Sequence, residues 1–125
     1  MATSRILIAE DDVLVGKDLV LTVEDLGFEV IKKVSTGEEA VRAVEESCPD
    51  LILMDIKLKG KIDGIEAVNQ IRSRCDIPVV YLTAYAKDDL FERAKTTEPY
   101  GFVGKPFSPR ELRNTIETAL CEAGR

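Results

Sequence analysis

The feature that most restricts the fold is a set of four short apolar runs: Arg5–Ala9 (RILIA), Leu51–Met54 (LILM), Val79–Leu82 (VVYL) and Gly101–Val103 (GFV). A less apolar run, Phe28–Val34 (FEVIKKV), lies between the first two. A strand with one wet face alternates apolar and polar residues, and these four runs do not. They suit strands of a parallel sheet that is covered on both faces. The segments between them are then required to supply the covering helices.

Helix signals occur where that requirement puts them. Asp12 can cap a helix bearing Val15, Leu19, Val23 and Leu26 at helical spacing, and Gly27 supplies its stop. Thr36 and Glu39 form a capping box ahead of Ala40, Val41 and Val44. Asp63 and Gly64 open a helix with Ile65, Val68 and Ile71 on one face, and Lys87 to Thr97 carries a shorter stripe of Leu90, Phe91 and Ala94. The last helix has Ser108 as N-cap, Pro109 at its first position and Glu111 three residues after the cap, then Leu112, Ile116, Ala119 and Leu120 inward. The pattern reads (βα) five times, a three-layer α/β sandwich. With 125 residues and no linker, repeat or low-complexity stretch, residues 1–125 are expected to form one domain around one core.

Several chemistries are excluded or disfavoured. The chain has no histidine, so the usual general base, the commonest zinc ligand and a Ser-His-Asp triad are missing. A net charge of −6 without a basic cluster argues against nucleic acid as a partner. The apolar runs fall far short of the ~20 residues a membrane span needs, and MATSR lacks the apolar region of a signal peptide. A cytoplasmic protein is expected. Cys48, Cys75 and Cys121 match no metal-ligand spacing and are expected to be reduced, mostly buried thiols.

In open parallel sheets, ligands gather beyond the carboxyl ends of the strands. Those ends carry Glu10-Asp11-Asp12, Asp55, Thr83-Ala84 and Lys105-Pro106. Carboxylates, a hydroxyl beside a small residue and one ammonium make a cation site with room for a phosphoryl group. Oxygen donors suit Mg²⁺. Asp55 is the candidate nucleophile, because a carboxylate can attack phosphorus and carry it as an acyl phosphate. Thr83 can donate its hydroxyl to a phosphoryl oxygen, Ala84 its backbone N–H, and Lys105 can neutralise remaining charge. Taken singly, each has a simpler reading: Asp12 as a helix cap, Asp55 as a loop acid, Thr83 and Lys105 as surface residues. The convergence of four strand ends is what points to chemistry.

The pieces ILIAEDD, LILMDIKL, DGIEAV, IPVVYLTAY and GFVGKPF, in that order over essentially the whole chain, resemble the receiver domain of two-component response regulators. The resemblance implies a flavodoxin-like (βα)5 fold with strand order 2-1-3-4-5. It implies that Asp55 accepts a phosphoryl group from a phosphohistidine on a sensor histidine kinase or phosphotransfer protein. Asp11 and Asp55 become direct ligands of Mg²⁺ (or Mn²⁺), with the backbone carbonyl of Lys57 as a third and Glu10 acting through water. Thr83, Lys105 and the backbone of Lys57 and Ala84 become the phosphoryl contacts. Thr83 and Phe102 become the switch, although Phe102 can also be read as a plain core aromatic. The Lys105-Pro106 bond becomes a candidate cis peptide. Such a domain catalyses only its own phosphorylation and dephosphorylation. It would act on a downstream protein through the face of its fourth helix, fifth strand and fifth helix, as a monomer or weak dimer, with no nucleic acid or membrane contact and no output domain after residue 121.

Two departures from the family pattern stand out. Lys57 to Gly64 (KLKGKIDG) is slightly longer than the usual family loop, resembling receivers found alone or beside sensory modules. Lys57 and Tyr85, two residues after Asp55 and Thr83, cannot orient a water as a carboxylate or amide could, which predicts slow self-dephosphorylation, although both can also be read as side chains that simply face solvent. Three rival functions fit the sequence less well. A metal-dependent phosphohydrolase with an aspartyl-phosphate intermediate would resemble DxD after the first strand, where this chain has EDD. A flavodoxin-like nucleotide or flavin binder needs a phosphate-cradling loop at a helix N-terminus, where these carboxylates would repel the phosphate. A receiver-shaped scaffold that is never phosphorylated would have no need of the complete acceptor set.

Overall fold

Each apolar run forms a strand in the computed structural model, which describes residues 3–84 and 89–124, and of Asp89 the backbone only. In chain order the elements are β1 (Arg5–Ala9), α1 (Val13–Asp25), β2 (Glu29–Val34), α2 (Gly37–Glu46), β3 (Leu51–Asp55), α3 (Gly64–Arg72), β4 (Val79–Thr83), α4 (Asp89–Lys95), β5 (Gly101–Gly104) and α5 (Pro109–Glu122). The strands pair in parallel in the order β2-β1-β3-β4-β5, as expected. Three of the four runs without a polar face, β1, β3 and β4, take the centre, and the short β5 takes one edge. The edge strand β2 carries Glu29, Lys32 and Lys33, charges that discourage further strand pairing.

Strand period divides the core in two. Leu7, Ala9, Ile52 and Met54 face α2 and α3, meeting Ala40, Val44, Ile65 and Val68. Ile6, Ile8, Leu51 and Leu53 face α1 and α5, meeting Leu19, Val23, Leu112 and Ile116. The register sets Ala9 opposite Met54, Asp55 opposite Leu82 and Thr83 opposite Gly104, so the strands end level at one edge. Covered on both faces, the sheet leaves that edge as the place for polar groups.

The caps are formed as their residue types predict. Asp12, Thr36, Asp63 and Ser108 each accept the backbone N–H three residues on, from Val15, Glu39, Glu66 and Glu111, at 2.9–3.1 Å; each such cap contributes about 1 kcal/mol. The box at α2 closes differently from the ideal. Glu39 reaches back to the Ser35 N–H (3.4 Å) and the Thr36 hydroxyl (3.1 Å). Gly27 takes φ +99° just past α1, a conformation that favours glycine.

Two expectations change. The fourth helix ends at Lys95, because Thr97 turns its hydroxyl back to the Ala94 carbonyl (2.7 Å) and pairs with the buried Tyr81 hydroxyl (2.7 Å). Its expected start at Lys87 lies outside the described residues, as does Tyr85. The cysteines form no disulfide but are not mostly buried: Cys48 and Cys121 are exposed and Cys75 partly so. Cys48 sits in the turn after α2, and Cys121 lies off the Leu112, Ile116, Ala119, Leu120 stripe. Among the described residues, no helix is long and apolar enough to cross a membrane.

One glycine is fixed by close approach. A Cβ on Gly64 would stand 2.1 Å from the Asp55 carbonyl oxygen, where α3 starts against the end of β3. Gly64→Ala is expected to lower stability by about 1–3 kcal/mol, as overpacking does; urea unfolding beside the parent measures it.

Candidate phosphotransfer site

The site assembles at the level strand ends. Glu10 follows β1 and is fully buried; its N–H continues the ladder to the Val34 carbonyl (3.0 Å) and its Oε2 accepts the Asp12 N–H (3.1 Å). Asp55 closes β3 and is 6% exposed, with the Lys57 N–H 3.3 Å from its Oδ1. Lys105 follows β5, anchored by its N–H on the Thr83 carbonyl (2.8 Å) and followed by a cis bond to Pro106. Its Nζ stands 2.5 Å from Glu10 Oε1 and 3.2 Å from Asp55 Oδ2.

One carboxylate oxygen each from Glu10, Asp11 and Asp55 lies within 4.8 Å of the others. Lys105 pairs with two of them, and among the described residues Asp11 has no ion pair. Burial opposes ionisation of Glu10, but the Lys105 ammonium and the Asp12 N–H outweigh it and hold its carboxyl below the usual range. At Asp55 burial, reinforced by the Glu10 charge, prevails over Lys105 and pushes the carboxyl up to about 7. Burial also works against the Lys105 charge, yet Glu10 and Asp55 raise the ammonium above its ordinary value. Three close carboxylates against one ammonium leave negative charge on oxygen-only donors, and that donor chemistry fits a hard divalent cation such as Mg²⁺.

Asp55 also lines a cavity of about 110 Å³, together with Ile56, Lys57, Thr83, Ala84, Leu90 and Lys105. Four strand ends predicted from sequence are thus brought together: Glu10, Asp11 and Asp55 as an acidic cluster, and Asp55, Thr83, Ala84 and Lys105 around the cavity. The sequence does not mark Leu90 as a lining residue; its place on the short α4 stripe is its one signal. Phe102 is half buried, its ring 5.7 Å from Tyr81 and 4.4 Å from Phe91. Tyr81 and Thr83 lie two residues apart on β4 and so share a face. The aromatic set therefore runs from the cavity strand to α4.

Comparison with known proteins agrees with this geometry. The response regulator receiver domain family matches residues 6–117. The transcriptional regulatory protein PdtaR of Mycobacterium tuberculosis is 40% identical over 116 residues, covering 93% of this chain and 56% of PdtaR. The phyllosphere-induced regulator PhyR of Methylorubrum extorquens is 40% identical over 121 residues, covering 96% and 44% respectively. The chain spans about half the length of these curated relatives. Among solved structures, the receiver domain of a modulated diguanylate cyclase from Desulfovibrio desulfuricans superposes with a TM-score of 0.91 at 34% identity, covering 97% of this chain and 96% of that one. The receiver domain of a sensor histidine kinase from Pseudomonas aeruginosa, with a magnesium ion coordinated in its active-site cleft, gives 0.87 at 30% identity, covering 95% and 98%. With the fold, the acidic cluster and the family match in agreement, this chain belongs to the response regulator receiver domain family of two-component signal transduction.

Proposed function

We propose that Asp55 accepts a phosphoryl group from the phosphohistidine of a sensor histidine kinase or phosphotransfer protein, and that residues 1–125 act as one cytoplasmic receiver module whose conformation then shifts. The observation that carries this reading is that Asp55 belongs both to the acidic cluster and to the cavity walled by Thr83, Ala84 and Lys105. An Asp55 carboxylate oxygen forms a bond to phosphorus while the donor's N–P bond breaks and the imidazole leaves with a proton. Since these residues contain no histidine, the donor lies outside residues 1–125. The Thr83 hydroxyl, the N–H groups of Lys57 and Ala84 and the Lys105 ammonium receive the phosphoryl oxygens. Phosphoryl transfer is mainly positioning and charge stabilisation, so these groups suffice.

Asp11, Asp55, the Lys57 carbonyl and, through water, Glu10 would hold Mg²⁺ or Mn²⁺, which would supply positive charge against the phosphoryl oxygens. Thr83 and Phe102 couple the site to the face of α4, β5 and α5, which a protein target reads. A bound phosphoryl group shifts such an equilibrium only by interacting differently with its two states. Thr83 provides that difference, because its hydroxyl bonds the phosphoryl group in one state only.

Incubation with Mg²⁺ and acetyl phosphate, followed by mass spectrometry, tests the reading. The parent is expected to gain the mass of one phosphoryl group and Asp55→Ala none. No gain in the parent, or a gain that survives the substitution, sinks it, and the first of these outcomes would favour a non-phosphorylated scaffold.

A further inference from the structure

The loop that carries the Lys57 carbonyl past Asp55 is held in place by α2. Glu38, in the first turn of α2, directs one oxygen, Oε1, at two consecutive backbone N–H groups of the loop, those of Lys61 and Ile62, both at 2.8 Å. The Ile62 N–H contributes most to holding the Glu38 carboxyl below its ordinary range, so the contact is to the ionised form. Thr36, the cap of α2, makes a parallel bridge to Lys59.

The loop's glycines make room for this clamp. Gly60 takes φ +106°, and a Cβ there would stand 2.5 Å from Glu38 Oε2. Gly37, at the start of α2, is similar: a Cβ would meet Ile62 Cγ1 at 2.7 Å. At its far end the loop returns to the sheet through the Gly64 N–H on the Ile56 carbonyl (3.0 Å), and Leu58 is buried at 8% exposure. Lys59 lies only two residues from Lys57, a span of at most about 7 Å of chain. A shift of the clamped segment is therefore carried to the Lys57 carbonyl.

We propose that Glu38 is a positioning residue for the phosphotransfer site: by fixing residues 59–62 it holds the Lys57 carbonyl where a cation bound by Asp11 and Asp55 can use it. The inference rests on the reading of that site given above. A residue of this kind acts on cation affinity, much as outer partners of metal ligands do, and leaves the chemistry at full occupancy unchanged.

The test compares the parent with Glu38→Ala and Glu38→Gln. Melting temperature is followed against Mg²⁺ alone, and the phosphorylation rate with acetyl phosphate against Mg²⁺. In Glu38→Ala the Mg²⁺ Kd is expected to rise about 10-fold, with the rate at saturating Mg²⁺ within about two-fold of the parent. Glu38→Gln keeps an acceptor oxygen at the same reach and restores most of the affinity. A Glu38→Ala protein that binds Mg²⁺ as tightly as the parent, whatever its metal-free melting temperature, makes Glu38 a local staple and overturns the inference; so does a Glu38→Gln protein no tighter than Glu38→Ala. Should Glu38→Ala fail to fold, Gly60→Ala strains the same loop from its other side, and an unchanged Mg²⁺ Kd there overturns it equally. If the parent responds to Mg²⁺ in neither assay, the reading of the whole site has failed, which is a different result.

Discussion

In metal-free buffer the protein is expected to lose stability as pH rises from about 5 to about 8, and Asp55→Asn to lose much less. Asp55 is an acid whose folded pKa, about 7, stands above its ordinary value of 3.8, chiefly through burial and then through the Glu10 charge. The folded state holds that proton more tightly than the unfolded chain. Its stabilisation is complete below the unfolded pKa and is lost as pH rises through the folded one. The two groups paired across the site, Glu10 and Lys105, act outside this window. Glu10, lowered from 4.5, contributes stability that is lost only as pH falls below that value, and Lys105, raised from 10.5, contributes stability lost only above it. At pH 8 the Asn variant is expected to exceed the parent by on the order of 2 kcal/mol, an allowance that discounts the Asp55 shift for residual solvent screening. Urea unfolding at pH 5 and pH 8 in chelator gives the four values needed. Equal losses in parent and variant would show that Asp55 ionises in the folded protein as it does in water.

The fold was legible because its strongest signals are redundant. Val79 to Leu82 can be satisfied only between two covering layers, and Ser108, Pro109 and Glu111 mark the start of α5 three times over. The strand ends were legible for the same reason: Glu10, Asp55, Thr83 and Lys105 each follow an apolar run, and a parallel sheet brings such ends to one edge. The cysteines misled, because a thiol is apolar enough for a core yet tolerated outside it, and Cys121 differs from the inward Leu120 by a single helical step. Glu38 was invisible as a clamp. In sequence it is an ordinary acid in a first helical turn, favoured there by the helix dipole, and only the tertiary approach of Lys61 and Ile62 gives it a partner. Leu90 was legible as apolar but not as a cavity wall, since the short stripe of α4 does not determine how that helix sits on the sheet.

Millimolar Mg²⁺ is expected to raise the melting temperature of the parent and to leave that of Asp11→Asn unmoved, while Asp12→Ala keeps the full response. The three acids EDD are adjacent in sequence but do different work. Glu10 is buried and already paired with Lys105. Asp12 caps α1 through the Val15 N–H, so its loss lowers stability by about 1 kcal/mol without touching the cation. Asp11 brings a third carboxylate within 4.8 Å of the other two, and among the described residues it has no ion pair to offset the repulsion. Removing its charge therefore raises metal-free stability, by about 1 kcal/mol at the dielectric of water and by more where the protein excludes solvent. The same removal takes away a cation ligand. For the parent, Mg²⁺ at one hundred times its Kd adds about 2.7 kcal/mol, because the ion binds the folded state alone. Thermal scans of the three proteins with chelator and with Mg²⁺ separate the roles. If Asp11→Asn responds to Mg²⁺ as fully as the parent, the cation does not use Asp11; if the parent itself is indifferent, the three acids are no more than a charged turn at the head of α1.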